Sequence, residues 1–348
     1  MRKNMRIFGI CMLILVILVC SSVIFFLHET SPLTSEKNER IERIEVPSGM
    51  KIRTLADMLE TKRLIRSGLS FYLAARYPLL GRIAGCSPIG LESGIYRIKS
   101  SMSTAEIFSL VSSGRQDYVR VSFPEGLTVS KTAQRLETAG VCSAADFTAV
   151  AKDRGFIAGY NITGDSLEGY LFPDTYFFTP GMDAREVAAI MVNNFFRHAE
   201  EIPAFRTMSA EDFRQTVVLA SIIEREYRVD SEAPLIASVF RNRMKKNIGL
   251  YSCATIEYII TEIEGKPHPD VITYQDLKIN SPYNTYKWAA LPPGPISNPG
   301  MVALAAAAAP AQTNYYYFRL IDPDTGRHAF SSDFDAHIKE GTLYHTKK

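Results

Sequence analysis

The chain has 348 residues, a formal net charge of +2, 5 cysteines and 6 scattered histidines. That balance gives no case for nucleic acid as a partner. The absence of any CxxC pair and of histidine clusters gives none for a disulfide framework or a metal site, so no metal and no cofactor is expected.

Arg2, Lys3 and Arg6 precede 21 uncharged residues, Ile7 to Leu27. At 1.5 Å per residue this run spans the ~30 Å of a bilayer's hydrocarbon. It continues past Ser21 and Ser22 into Val23-Ile24-Phe25-Phe26-Leu27, longer than the ~7–15 apolar residues of a cleaved signal. The expectation is a single-pass anchor (7–27) with a cytoplasmic tail (1–6), the rest of the chain lying outside. Residues 28–40 are polar and aperiodic, a tether.

An internal repeat follows. Val46-Pro47-Ser48-Gly49 leads into Thr54 to Thr61, and 77 residues later Phe123-Pro124-Glu125-Gly126 leads into Thr132 to Thr138. In each copy an alternating stretch meets a Pro-x-Gly turn and then apolar residues at helical spacing, which predicts a strand–turn–helix unit. Between the copies, Ser93 to Ile98 reads as a strand, and Met102 to Val111 as a helix stopped near Gly114. This α/β pattern over 41–140 resembles LysM-type peptidoglycan-binding modules; a plain spacer module fits it equally.

The texture changes after about Asp165. Leu167-Glu168-Gly169-Tyr170-Leu171-Phe172-Pro173-Asp174-Thr175-Tyr176, Ser281-Pro282-Tyr283-Asn284-Thr285-Tyr286 and Leu291-Pro292-Pro293-Gly294-Pro295-Ile296-Ser297-Asn298-Pro299-Gly300 are rigid loops rich in aromatic and amide side chains. Such side chains offer flat faces and hydrogen bonds to sugars. Among the helical stretches between them, Leu219-Ala220-Ser221-Ile222-Ile223-Glu224-Arg225-Glu226 sets carboxyls at the end of an apolar helix. Burial disfavours a carboxylate and raises its pKa toward neutrality, suiting it to donate a proton. Helix-closing glutamates in solvent are the plain alternative. On a helix Glu224 and Glu226 point ~200° apart. Glu224 shares a face with the small residues Ala220 and Ser221 and with Val217, which leaves room for a ligand, while Glu226 falls nearer Leu219 and Ile222. That preference is mild. Farther on, a helix is expected over Thr255 to Ile263. Ala303 to Ala309 suits a tightly packed helix broken by Pro310, and strands are expected at Tyr315 to Ile321 and at Ala329-Phe330.

These motifs, with Val239-Phe240-Arg241-Asn242-Arg243-Met244 and Gly326-Arg327-His328-Ala329-Phe330-Ser331, together resemble the MltG (YceG-like) family of endolytic murein transglycosylases, from the anchor to His337. The resemblance implies an α+β chain: one transmembrane helix, the LysM-like module, and a mainly helical catalytic domain (141–348) with a small β component. It implies internal cleavage of peptidoglycan glycan strands between N-acetylmuramic acid and N-acetylglucosamine, leaving 1,6-anhydro ends. Glu224 is then the single acid/base. Glu168, Asp174, Ser252, Thr255, Tyr283, Asn284, Tyr286 and Asn298 are the residues expected around the sugar, with Tyr283, Asn284 and Ser252 as dipoles for positive charge. Asp174 reads equally as a turn residue capping Thr175 and Tyr176. The partners implied are the glycan strands, the inner cell membrane and the synthases that make the strands.

One departure stands out. Where the family usually reads Leu-Gln-Ser/Thr-Asp-Pro-Thr, this chain has Leu250-Tyr251-Ser252-Cys253-Ala254-Thr255. If the family's acid positions substrate, activity changes here; if it only caps the next helix, Ser252 takes over. Two other functions remain open: a non-catalytic peptidoglycan-binding scaffold, and a hydrolytic muramidase. The latter needs a second carboxylate ~5–10 Å from Glu224, with Glu168, Asp174 and Glu257 as the residues to inspect.

Overall fold

A computed structural model describes residues 2–114 and 118–345, with side chains placed for 8–114 and 118–339. The chain divides into two compact units, residues 1–118 and 119–348.

The first unit begins with α1 (Arg2–Thr30), whose Phe8–Thr30 stretch is long and apolar enough to cross a membrane. β1 (Ile41–Val46), α2 (Ile52–Thr61), α3 (Gly68–Arg76), α4 (Pro78–Ile83), β2 (Gly94–Lys99) and α5 (Thr104–Ser113) follow. β1 and β2 pair antiparallel with Ile44 opposite Tyr96. Alternation sends Ile44, Val46, Tyr96 and Ile98 inward, where α2, α3 and α5 bury Leu55, Leu59, Phe71 and Phe108 against them. The helix expected from Met102 starts at Thr104 because Ser103 and Glu106 form a reciprocal cap. It stops at Gly114, whose φ of 62° few other residues adopt.

The second unit carries β3 (Val119–Ser122), α6 (Val129–Thr138), α7 (Ala144–Ala151), α8 (Arg154–Ala158), β4 (Thr175–Phe178), α9 (Ala184–Glu201), α10 (Ala210–Ile223), α11 (Ala233–Lys245), α12 (Cys253–Tyr258), α13 (Met301–Ala308), β5 (Tyr317–Asp322), β6 (Arg327–Ser331) and α14 (Phe334–His345). α10 is its axis. Every residue from Thr216 to Ile223 is buried, and α11 and α13 pack on it. Ala303, Ala306 and Ala307 of α13 are buried without bulk, as the alanine run predicts. β5 pairs with β6, at the positions expected for the last strands. The helix expected from Thr255 starts instead at Cys253 and widens into a π turn over Ile259–Ile263.

Both repeat copies fold as strand–turn–helix, yet they do not share a module. β3 pairs with β4, Val121 opposite Tyr176, so the second copy folds with the helical unit. The boundary expected at 140/141 therefore falls at 118/119. The partner strand lies more than 50 residues downstream, beyond the reach of local pattern.

Candidate active site

α10 ends at Ile223, and Glu224 is its cap residue, still helical at φ −53°. The next amides turn back on the helix end, Glu226 N–H and Tyr227 N–H both donating to the Ile223 carbonyl at 2.9 and 3.2 Å. The helical wheel thus does not extend to Glu226. It points toward α12, where the Ser252 hydroxyl donates to its Oε1, and not into the core beside Leu219 and Ile222.

Glu224 is half-buried at the meeting of three segments. Gly300 N–H donates to its Oε2 at 2.9 Å, and the Tyr227 hydroxyl approaches Oε1 at 3.4 Å. The Pro-Glu-Gly turn of the second repeat is held beside it, Gly126 N–H donating to the Asn298 carbonyl at 2.9 Å and Asn298 N–H to the Leu127 carbonyl at 2.8 Å. Gly126 has φ +75°, a backbone conformation that calls for glycine, and a Cβ there would make ordinary contact with Glu224 Cγ at 3.7 Å. Burial pushes the Glu224 pKa up to about 7; the Glu125 carboxylate adds to the rise, and the Gly300 bond, Tyr227 and Arg225 oppose it.

Glu125 is the residue that sequence reading missed. A Cβ placed on Gly300 would fall 2.1 Å from Glu125 Oε1, so the exposed Glu125 carboxyl lies against the same glycine that binds Glu224. The first repeat carries Ser48 at this offset, and nothing local to the turn marks the glutamate out. Arg225 ties the next part of the site in, donating to the Gly126 carbonyl at 3.2 Å and to Glu257 Oε2 at 2.8 Å.

Glu226 forms the second centre. Burial raises its pKa to about 7, lowered in part by the Ser252 bond. Beside it the Cys253 thiol meets the Tyr286 hydroxyl at 2.9 Å, and Tyr286 packs on Tyr251 at 5.6 Å between ring centres. Burial raises the Cys253 pKa, so an uncharged thiol stands where the family's acid is expected. Ser252 occupies the N-cap position of α12, but its side chain makes no capping bond; the substitute cap expected of it is replaced by the bond to Glu226.

A third group is a buried strut. Both Glu168 oxygens accept from Val129 N–H at 3.1 Å, and burial lifts its pKa to about 8. Asn298 Oδ1 accepts from Gly169 and Leu171 N–H at 2.9 and 3.0 Å, while its Nδ2 donates to the Leu127 carbonyl and to Glu168. Asn284 is likewise spent, Nδ2 on the Leu277 and Ile279 carbonyls and Oδ1 on Tyr286 N–H. Thr255 donates to the Ser252 carbonyl and meets Thr285. Asn298, Asn284 and Thr255 are at most 1% exposed; these three residues expected at the sugar are bound within the protein and hold its loops together. The Asn284 side chain is therefore occupied within its own loop and is not the free dipole expected of it. Asp174 is exposed and accepts from Thr175 N–H and Asn194 Nδ2, which fits the turn reading for Thr175. Tyr283 is half-buried against Tyr258, 5.2 Å between ring centres. The face of Val217, Ala220 and Ser221 offers no room for a ligand: all three are fully buried, and Ser221 bonds Ile296 N–H and the Ser297 hydroxyl.

A half-buried carboxyl raised toward neutrality and held at Gly300 is chemically able to give or take a proton. Residues 44–341 match the YceG-like family, and the chain belongs to it. It is 30% identical over 321 residues to a Bacillus subtilis (strain 168) protein named endolytic murein transglycosylase, covering 88% of this chain and 85% of that one. A protein of the same name from Streptococcus pneumoniae (serotype 2, strain D39) is 25% identical over 84% of this chain, which spans 56% of its length. The crystal structure of a yceG-like protein from Listeria monocytogenes superposes with a TM-score of 0.55 at 29% identity, covering 87% of this chain and 99% of that one.

Proposed function

We propose that this chain is a membrane-anchored lytic transglycosylase that cuts peptidoglycan glycan strands internally, between N-acetylmuramic acid and N-acetylglucosamine, and leaves 1,6-anhydro ends. Two relatives are named endolytic murein transglycosylase, and α1 is compatible with a single-pass anchor. The charges at Arg2, Lys3 and Arg6 favour a cytoplasmic N-terminus, with the catalytic unit on the outer side of the inner membrane, near the strands and the synthases that extend them. The β1–β2 unit is the LysM-like part in this reading.

The observation that carries the mechanism is Glu224. Held near a pKa of about 7, it is protonated in a useful fraction at neutral pH and gives its proton to the glycosidic oxygen as the bond breaks. The carboxylate so formed then takes the proton of the sugar's own 6-hydroxyl, which closes onto the anomeric carbon; no water is consumed. The Gly300 N–H on Oε2 fixes the carboxyl and stabilises its charged form after transfer. Glu125 favours the protonated form beforehand and offers negative charge to the oxocarbenium-like transition state. Glu226 and Ser252 are bonded to each other, and Tyr286 meets the neighbouring Cys253; these residues and Tyr283 are the ones this reading sets along the sugar.

Glu125 beside Glu224 also favours a second reading, a hydrolase with a carboxylate pair. The assignment of the acid is tested by comparing Glu224→Gln with Glu226→Gln on uncrosslinked glycan strands. Loss of cleavage by ~10²-fold or more in Glu224→Gln, with Glu226→Gln retaining activity, is expected. The reverse order transfers the role to Glu226.

A further inference from the structure

α3 and α4 expose apolar surface next to α1. Leu69, Tyr77 and Leu79 are 54%, 53% and 72% exposed. A 480 Å³ cavity lies between Leu18, Val19 and Phe26 of α1 and Leu73, Leu80 and Ile83 of α3 and α4. Isolated exposed leucines are ordinary on a soluble protein, but apolar side chains gathered along one groove mark an interaction surface.

Depth along α1 decides what covers it. The apolar stretch runs from Phe8 to Thr30, 23 residues, and a bilayer core of ~30 Å needs ~20 of them. If lipid stopped short of Leu18 to keep α3 and α4 in water, only Phe8 to Ile17 would remain inside. That is about 15 Å at 1.5 Å per residue, half the thickness to be crossed. Hydrocarbon must therefore rise past Leu18 and Val19, and the far wall of the same cavity rises beside it.

We propose that the α3–α4 corner of the first unit inserts into the adjoining leaflet, with lipid acyl chains filling the cavity; this rests on the reading of α1 as a membrane span. The side chains fit an interfacial depth. Tyr77 belongs to the residue types that settle at the membrane–water boundary, and the Arg76 guanidinium lies over its ring at 5.9 Å. Arg76 and Arg82 are both exposed at the corner, where their charged ends reach phosphate while their stems lie along lipid. The anchor is then a two-part contact that fixes the orientation of the first unit on the membrane, and α1 is not a free tether.

The test uses the full chain in nanodiscs of phosphatidylethanolamine and phosphatidylglycerol, in a Trp288→Phe background. Single tryptophans are introduced as Leu79→Trp and, for the span itself, Leu15→Trp. Lipids brominated on the acyl chain are expected to quench both by on the order of twofold, as for rings ~5–10 Å or more below the headgroups, and iodide in water to quench neither. Quenching of Leu15→Trp alone, with Leu79→Trp open to iodide, overturns the insertion and leaves the span standing. Leu79→Trp shielded from both quenchers overturns it in favour of a protein cover, a second copy included. If neither tryptophan responds to brominated lipid, the span and the insertion fall together.

Discussion

Glu224 and Glu226 stand two residues apart, both lifted to about 7 by burial, and differ in what holds them. Glu226 is tied to Ser252 and α12, whereas Glu224 is fixed by a backbone N–H and faces another carboxylate across Gly300. The charged and polar groups facing Glu224 are Glu125, which raises its pKa, and Arg225, the Gly300 N–H and Tyr227, which lower it. An acid must be protonated to act, so cleavage falls as pH rises through about 7. Glu125→Gln removes a like charge, makes the carboxylate easier to form, and should move that limb to lower pH by up to about one unit. Gly300→Ala, whose new Cβ displaces the Glu125 oxygen 2.1 Å away, should shift the limb in the same direction. A pH–rate profile of kcat/KM checks both, and an unmoved limb in Glu125→Gln removes Glu125 from the site. Residue identity made Glu224 legible, since a carboxyl ending an apolar helix invites attention. Glu125 was not legible, because a turn residue acquires chemistry only from what the fold brings to it.

Hydrogen-bonded struts hold the loops at the scale of the elements. Asn298 joins the 167–171 and 291–300 loops to the turn before α6 through four side-chain bonds. Asn298→Ala leaves the buried N–H groups of Gly169 and Leu171 unpaired and should cost about 3 kcal/mol, or roughly 6–12 °C of melting temperature for a unit of this size. Unchanged melting would show that the loops do not depend on it. Glu168 behaves differently with pH. Its folded pKa, raised from 4.5 to about 8, means the native state binds a proton that the unfolded chain has released between those values. Its contribution is complete below about pH 4.5 and is lost as pH rises through about 8. Melting temperature should fall over that window, and Glu168→Gln should flatten the fall. Alternation and Pro-x-Gly turns made β1, β2, β3 and the helices α2, α5 and α6 legible, because those signals are local. The pairing of β3 with β4 and the burial of Asn298 and Asn284 are long-range facts. An asparagine in a proline-rich loop looks the same whether it meets a sugar or a backbone.

For the whole molecule, membership of the YceG-like family rests on 44–341, and the second unit gathers the Pro-Glu-Gly turn, the end of α10 and the Asn-Pro-Gly loop around one carboxyl. Cys253, in place of an acid, leaves a neutral thiol beside Glu226 and Glu257 and does not touch the Glu224 bonds to Gly300 and Tyr227. The proposed chemistry therefore survives the departure. The most direct test of that chemistry is the mass of the new glycan ends released by the full chain, beside Glu224→Gln, from uncrosslinked strands. Internal fragments whose ends are lighter by one water, 1,6-anhydro sugars absent with Glu224→Gln, are the predicted result. Reducing ends carrying that water would contradict the single-acid lytic mechanism and make Glu125 and Glu224 a hydrolytic pair.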